Sequence, residues 1–249
     1  MEPPMKILLL DIETAPMTAL VWGLWDQNIS PNHIIDSSYM LCYAAKWHKE
    51  TDIIFDSVHH SKPKKMLKGL HGLLNDADVV VHYNGNKFDM PTINKEFVLN
   101  SFSPPSPYKQ IDLLRVVRSS FRFPSNKLDY VSQRLGLGEK VEHEGMALWT
   151  KCMKGDKEAW KRMQDYNAQD VVLLESLYDT LRPWIKNHPN HNMYSEGAVC
   201  PNCSSTHLQK RGTAMSTTGA YQRYQCRDCG TWSQGTKSTR GRVEVKGIV

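Results

Sequence analysis

Two apolar runs of strand length, MKILLL over Met5–Leu10 and VVVH over Val79–His82, each run out into carboxylates, and this constrains the fold more than any other feature of the chain. A continuous apolar run of about four to eight residues reads as a central strand buried on both faces, its C-terminal end free to emerge at a site. The first run ends in Asp11 and Glu13, and the second passes through an Asn-Gly turn to Asp89. YMLCYAAKWHK and DIIFDSV predict two further strands rich in aromatic and β-branched residues, and KPKKMLKGLHGLLND predicts a helix. Downstream, DMPTINKEFVLN reads as a helix, KQIDLL as a short strand and NKLDYVSQRLGLG as a helix closed by glycines. The apolar spacing from Asp156 to Ile185 fits one long helix or two short ones. Strands first, then strand–helix alternation, predict an α/β fold with helices on both faces of a sheet.

The 249 residues suffice for one substantial core and a small appendage. With 40% apolar and 23% charged residues, the composition argues against wholesale disorder and against a fibre. No apolar run approaches the roughly 20 residues needed to cross a bilayer. The N-terminus lacks the charged start and cleavage site of a secretory signal, so a cytoplasmic, intracellular setting is expected. The formal net charge of +5 is unevenly placed: from Gly197 onward eight Lys or Arg face Asp228 and Glu244, which leaves 23 basic against 24 acidic residues before that point. A nearly neutral body with a basic end predicts that the end supplies affinity for phosphate.

Alternation along a strand sends Asp11 and Glu13 to one face. In YNAQDVVLLESLY the i, i+4 spacing of Tyr166 and Asp170 puts a phenol and a carboxylate on one face of a helix. Phosphodiester hydrolysis needs a hydroxide near neutral pH and neutralisation of the attacking and leaving oxygens, which two Mg²⁺ about 3.5–4 Å apart supply. Mg²⁺ takes oxygen ligands in near-octahedral geometry, so Asp and Glu without histidine form the donor set such a site requires. A phenol beside them orients the water. Each piece alone is ordinary, since Asp-x-Glu ends many strands and YNG forms many turns.

Together, LLLDIETAP, VVVHYNGNKFDMPTI and YNAQDVVLLESLY resemble the three exonuclease motifs of the DnaQ-like, or DEDD, superfamily, in the subclass with tyrosine in the third motif. Asp165 stands near where the histidine subclass carries its histidine. The second motif is especially similar to that of the proofreading domains of B-family DNA polymerases. The body over about residues 5–185, including KLDYVSQRLGLG and MALWTKCMKGDKEAW, resembles stand-alone ribonuclease H-like exonucleases common in phages and bacteria; a phage-encoded member would act in the host cytoplasm. The resemblance implies a ribonuclease H-like mixed sheet flanked by helices, and 3′→5′ hydrolysis that releases 5′-mononucleotides with two Mg²⁺ or Mn²⁺. It assigns Asp11 to bridge both ions, Glu13 and Asp170 to hold the one that activates water, Asp89 to hold the other largely through water, and Tyr166 to position the nucleophile. Asn84 and Phe88 match motif positions that lie along the terminal nucleotides.

Other candidates carry two readings each. Asp112 in QIDLL either faces the site or caps the next element, and Lys140 and His143 either reach a phosphate or belong to a solvated loop. Trp22 and Trp25 either stack on bases or pack an inserted hairpin or helix. His59 and His60 read as surface, and Cys42 and Cys152 as small apolar fillers.

CPNC at Cys200 and Cys203 and CRDC at Cys226 and Cys229 give two Cys-x₂-Cys pairs separated by 22 residues, the spacing of a closed, structural Cys₄ Zn²⁺ site. This segment resembles a zinc ribbon, and YQRYQCRDCGTW is similar to ribbons attached to some transposases and transcription proteins. So short a segment buries little core, so the metal is expected to supply most of its folding free energy. Its basic residues Lys210, Arg211, Arg223, Arg227, Arg240 and Arg242, with Tyr221, Tyr224 or Trp232, read either as a nucleic-acid grip or as an incidentally basic folding or protein-contact module. The expected organisation is an exonuclease domain over 1–187, a linker over 188–198, a zinc ribbon over 199–235 and a basic flexible tail over 236–249. The expected activity is metal-dependent exonucleolysis of single-stranded DNA. RNA processing and a non-catalytic nucleic-acid-binding adaptor stand as alternatives.

Overall fold

In the computed structural model, which describes residues 5–194, 197–241, 243 and 245, the apolar run after Lys6 forms β1 (Ile7–Thr14) at the centre of a five-stranded sheet. A small hairpin follows, made of β2 (Thr18–Ala19) and β3 (Ile34–Asp36). Between its strands Trp22 and Trp25 are 97% and 83% exposed, so packing into a core does not account for them. Next come β4 (Met40–Trp47), β5 (Ile53–Ser57) and α1 (Pro63–Asp76). Pro63 opens α1, where a missing backbone N–H costs nothing. β6 (Val79–His82) leads to α2 (Asp89–Leu99), and β7 (Lys109–Asp112) to α3 (Leu113–Ser120). Then α4 (Leu128–Arg134), α5 (Met146–Met153) and α6 (Lys157–Leu181) complete this part, α6 being one continuous helix.

The strand order is β5-β4-β1-β6-β7. β4 runs antiparallel to β1 and β5, whereas β6 is parallel to both β1 and β7, so the sheet is mixed. On one face Leu8, Leu10 and Ile12 of β1 meet Met66, Leu70 and Leu74 of α1 and Ile93 and Phe97 of α2. On the other, Ala15, Leu41 and Cys42 meet Leu148 and Cys152 of α5 and Trp160, Met163 and Tyr166 of α6. Burial of a large apolar side chain stabilises by about 1.5–3 kcal/mol, so two filled faces fix the sheet between its helices. Cys42 and Cys152 are the expected apolar fillers.

The strand expected over KQIDLL is shorter than its apolar run. Asp112 accepts from the N–H of Leu114 at 3.0 Å and so caps α3, which turns Leu113 and Leu114 into helix.

Contacts divide the chain into two units, Lys6–Asp179 and the part from Thr180 onward. The second holds an antiparallel sheet of β8 (Leu208–Met215), β9 (Ala220–Cys226) and β10 (Trp232–Ser238), in the order β10-β9-β8. Pairing with β9 carries β10 on to Ser238, past position 236 where the flexible tail is expected to begin. Arg242 and Lys246 of that tail lie outside the described residues. Among the described residues no helix is long and apolar enough to cross a membrane.

Candidate active site

β6 pairs with β1 only as far as Leu9 opposite Val81, so the end of β1 that carries Asp11 and Glu13 has lost its parallel neighbour. There the N–H of Ile12 donates to Asp89 Oδ1 at 3.3 Å, a side-chain acceptor standing in for a strand. The turn over residues 83–88 brings Asp89 to this place. Asn84 takes a left-handed conformation, φ +67°, and the N–H groups of Asn84 and Asn86 donate to the two oxygens of Asp112 at 2.9 and 3.4 Å. Asp112 thus ties the turn and caps α3 rather than joining the carboxylates. The Gly85 N–H donates to His82 Nδ1 at 3.1 Å, and a Cβ at Gly85 would lie 2.3 Å from the His82 ring, so only glycine fits. Burial lowers the His82 pKa, which favours the neutral ring that accepts at Nδ1. Phe88 is partly exposed at the start of α2.

α6 supplies the remaining groups from one helix face. Carboxylate oxygens of Asp11, Glu13 and Asp170 lie within 4.8 Å of one another. Asn167 is fully buried and donates through Nδ2 to Asp11 Oδ2 at 2.6 Å, with Cys42 Sγ 3.7 Å from its Oδ1. Trp149 of α5 stands close enough to Glu13 to favour its ionised form. Sequence reasoning passed over both residues. The available signal for Asn167 is a polar residue adjoining Tyr166 and one helical turn before Asp170.

Lys140 reaches the cluster from a loop whose backbone takes positive φ at Gly136, Gly138 and Gly145, conformations that glycine adopts without strain. Its ammonium pairs with Asp170 Oδ2, lies 3.3 Å from the Tyr166 hydroxyl and stands 5.2 Å from the centre of the Tyr166 ring. His143 is exposed, with its ring centre 4.8 Å from that of Tyr166 and 5.0 Å from that of Trp149. Both loop residues therefore stand against the α6 and α5 side chains of the site.

Among the described residues the Lys140 ammonium stands against four carboxylates, which it does not balance. Burial, then the charges of Asp89, Glu13 and Asp170, hold Asp11 well above the usual carboxylate range. Burial and then Asp170 push Glu13 up to about 8, and burial pushes Asp89 up to about 7. Asp170 is also raised by burial, against the pull of Lys140. Burial, followed by Asp170, raises the Tyr166 phenol, so it keeps its proton. Burial works against the charge on Lys140, yet Asp170 and then Tyr166 hold its pKa above the ordinary lysine value. Asp170 Oδ1 is buried without a partner. Crowded, desolvated oxygen donors with one orphaned atom and a deficit of positive charge fit a divalent cation, and Asp11, Glu13 and Asp170, whose oxygens converge, are the residues that would hold it, with Asp89 alongside on the Ile12 N–H.

In the second unit the sulfurs of Cys200, Cys203, Cys226 and Cys229 lie within 4.8 Å of one another, at 3.6 Å for Cys200–Cys229 and 3.7 Å for Cys203–Cys226, and none is in a disulfide. A tetrahedron with Zn–S bonds of about 2.3 Å has edges of about 3.8 Å, so the set fits zinc. Lys210 and Arg211 lie on β8, Tyr221, Arg223 and Tyr224 on β9, Arg227 just beyond it, and Trp232 on β10.

Residues 29–182 match the family model described as RNase_H superfamily. No curated protein sequence matches the chain. Among solved structures it is similar to the family B DNA polymerase of the hyperthermophilic archaeon Pyrobaculum calidifontis, at 17% identity and a TM-score of 0.56, over 73% of this chain and 25% of that one. The chain thus spans a quarter of the polymerase, and the likeness is one of fold.

Proposed function

The chain belongs to the RNase_H superfamily, and from that premise we propose that it is a metal-dependent 3′→5′ exonuclease of the tyrosine-bearing DEDD type, releasing 5′-mononucleotides, preferentially from single-stranded DNA. The observation that carries the reading is the convergence of Asp11, Glu13 and Asp170 from β1 and α6, with Asp89 bound to the N–H between the first two. Two divalent ions held there would lower the pKa of the attacking water and neutralise the phosphodiester oxygens.

The chain's own groups do the rest. Asn167 fixes the orientation of Asp11 through its 2.6 Å bond. Tyr166, protonated, orients the water by hydrogen bonding. Asn84 and Phe88 border the terminal nucleotides, and Lys140 and His143 approach the phosphate. The cysteine set holds one structural Zn²⁺.

The test is digestion of single- and double-stranded DNA and RNA, labelled at either end, with Mg²⁺ or Mn²⁺. Stepwise shortening of 5′-labelled single-stranded DNA, lost in Asp11→Ala and Asp170→Ala, is expected. Preferential digestion of RNA would reassign the substrate. Binding without metal-dependent turnover would make the chain an adaptor and sink the enzymatic reading.

A further inference from the structure

Side-chain contacts in the second unit sort its basic residues onto opposite faces of the β8–β10 sheet. Gln209, Gln225 and Trp232 are direct cross-strand partners and so project from one face. Arg211 and Arg227 join them there, donating to Gln209 Oε1 at 3.1 and 2.9 Å. Arg223 joins as well, its guanidinium 5.1 Å from the centre of the Trp232 ring. Lys210, though adjacent to Arg211 in sequence, pairs with Tyr224 and projects from the other face.

A bulge sharpens this sorting. Between Lys210 and Thr213 the register slips, Gly212 takes φ +69°, and Arg223 Nε donates to the Arg211 carbonyl at 2.9 Å. Bulges re-aim side chains, and here Arg211 and Arg223 are brought side by side. Among the described residues no carboxylate pairs with Arg211, Arg223 or Arg227. The acidic residue nearest in sequence, Asp228, is engaged by Ser205 and His207. Three guanidiniums kept together without a counter-charge suit a polyanion.

The aromatic component narrows the class. Trp232 is 52% exposed and borders a cavity of about 280 Å³ whose other walls include Trp184, Lys186, Pro201 and Asn202. That volume is near the lower end for pockets that take small flat ligands, about 300 Å³. An unpaired base can stack on an exposed indole, whereas a base inside a duplex offers no free face. We infer that the Arg211–Arg223–Arg227–Trp232 face of the ribbon binds single-stranded nucleic acid, with phosphates on the guanidiniums and an unpaired base against Trp232. This is a binding site separate from the carboxylates. It deepens the proposed function, since it supplies the basic grip on the strand being degraded.

The test uses the full-length, zinc-loaded chain in an Asp11→Ala background, so that bound strands survive, with fluorescein-labelled oligo(dT) followed by anisotropy. Arg223→Gln and Trp232→Ala are each expected to weaken binding by roughly 5- to 100-fold, the range that loss of a base stack or a charge-assisted contact produces. Arg211→Gln combined with Arg227→Gln should lower the salt slope by about 1.4, at about 0.7 per phosphate contact. Lys210→Gln, on the opposite face, should change affinity less than twofold. Zinc content of one per chain confirms that each variant retains the ribbon. Losses equal to those of Lys210→Gln, tight binding of duplex equal to that of oligo(dT), or losses confined to polyglutamate would each overturn the assignment, the last in favour of an acidic protein partner. Because binding is read without cleavage, wild-type digestion that persists while these losses fail to appear would remove the grip and leave the exonuclease reading intact.

Discussion

The ammonium of Lys140 lies on Asp170 Oδ2 in the middle of the carboxylate cluster, and the same carboxylate keeps its other oxygen buried and unpartnered. Among the described residues, a lysine delivered by a loop is therefore the ammonium that meets the converging carboxylates of Asp11, Glu13 and Asp170. A divalent ion bound to Asp170 and the Lys140 ammonium would compete for one side chain, and binding of the ion would release the ammonium toward the phosphate.

Lys140→Met separates competition from support. Without the ammonium, Asp170 is free for metal, and Mn²⁺ affinity should rise by roughly tenfold, equivalent to about 1.4 kcal/mol. The metal-free protein should melt earlier, because Asp170 and the carboxylates beside it lose the ammonium paired with them. Free Mn²⁺ measured by electron paramagnetic resonance gives the affinity directly, and a weaker affinity in Lys140→Met would make Lys140 a supporter of the metal site.

The metal-free site should also set how stability depends on pH. Burial pushes Glu13 up to about 8 and Asp89 up to about 7 in the folded chain, from ordinary values of 4.5 and 3.8. Between those limits the folded state binds more protons than the unfolded one, so the stability these groups contribute is present at low pH and is lost as pH rises toward 8. Mg²⁺ requires the ionised carboxylates, so its stabilising effect should grow over the same window. Melting of the zinc-loaded protein at about pH 5.5 and about pH 8.5, with and without Mg²⁺, checks this; a Mg²⁺ effect independent of pH would contradict it.

How much of this was legible in the sequence follows from the range of each signal. The strands β1 and β6 and their acidic ends are local patterns, so Asp11, Glu13 and Asp89 were readable as candidates at strand ends and became one site through the resemblance to the exonuclease motifs. The break between β7 and α3 did not, because one apolar run spans both and only the Asp112 cap divides them. Asn167 and Trp149 carried weaker signals for another reason. Nothing in YNAQD or MALWT marks a hydrogen bond to a strand more than a hundred residues away, as Asn167 makes to Asp11. The sorting of Lys210 from Arg211 depended on strand pairing and on a bulge at Gly212, which a count of basic residues does not contain.

Asn167→Leu tests whether that long-range bond matters. The substitution keeps the bulk but removes the only donor seen on Asp11 Oδ2 among the described residues. Partners that orient metal ligands are typically worth roughly 10- to 100-fold in metal affinity or activity. The expected outcome is a rise of that order in the Mn²⁺ concentration giving half-maximal nucleotide release, with affinity for oligo(dT) unchanged. An unaltered metal dependence would make Asn167 a filler.

Gly85→Ala should disable the site from a residue that bears no functional group. The new methyl would sit 2.3 Å from the His82 ring, which is fully buried and held between the Gly85 N–H and Gln110. The ring has no free direction, so the turn over residues 83–88 must yield, and with it Asp89 and its bond to Ile12. Overpacking of this kind costs about 1–3 kcal/mol, and a displacement of about 1 Å in a positioned group can cost on the order of a hundredfold in rate. Urea unfolding and nucleotide release measure the two effects separately. The double variant Gly85→Ala with His82→Ser makes room for the methyl, and should recover activity lost through the clash; failure to recover any would mean that the His82 ring, and not the glycine, is what holds Asp89 in place.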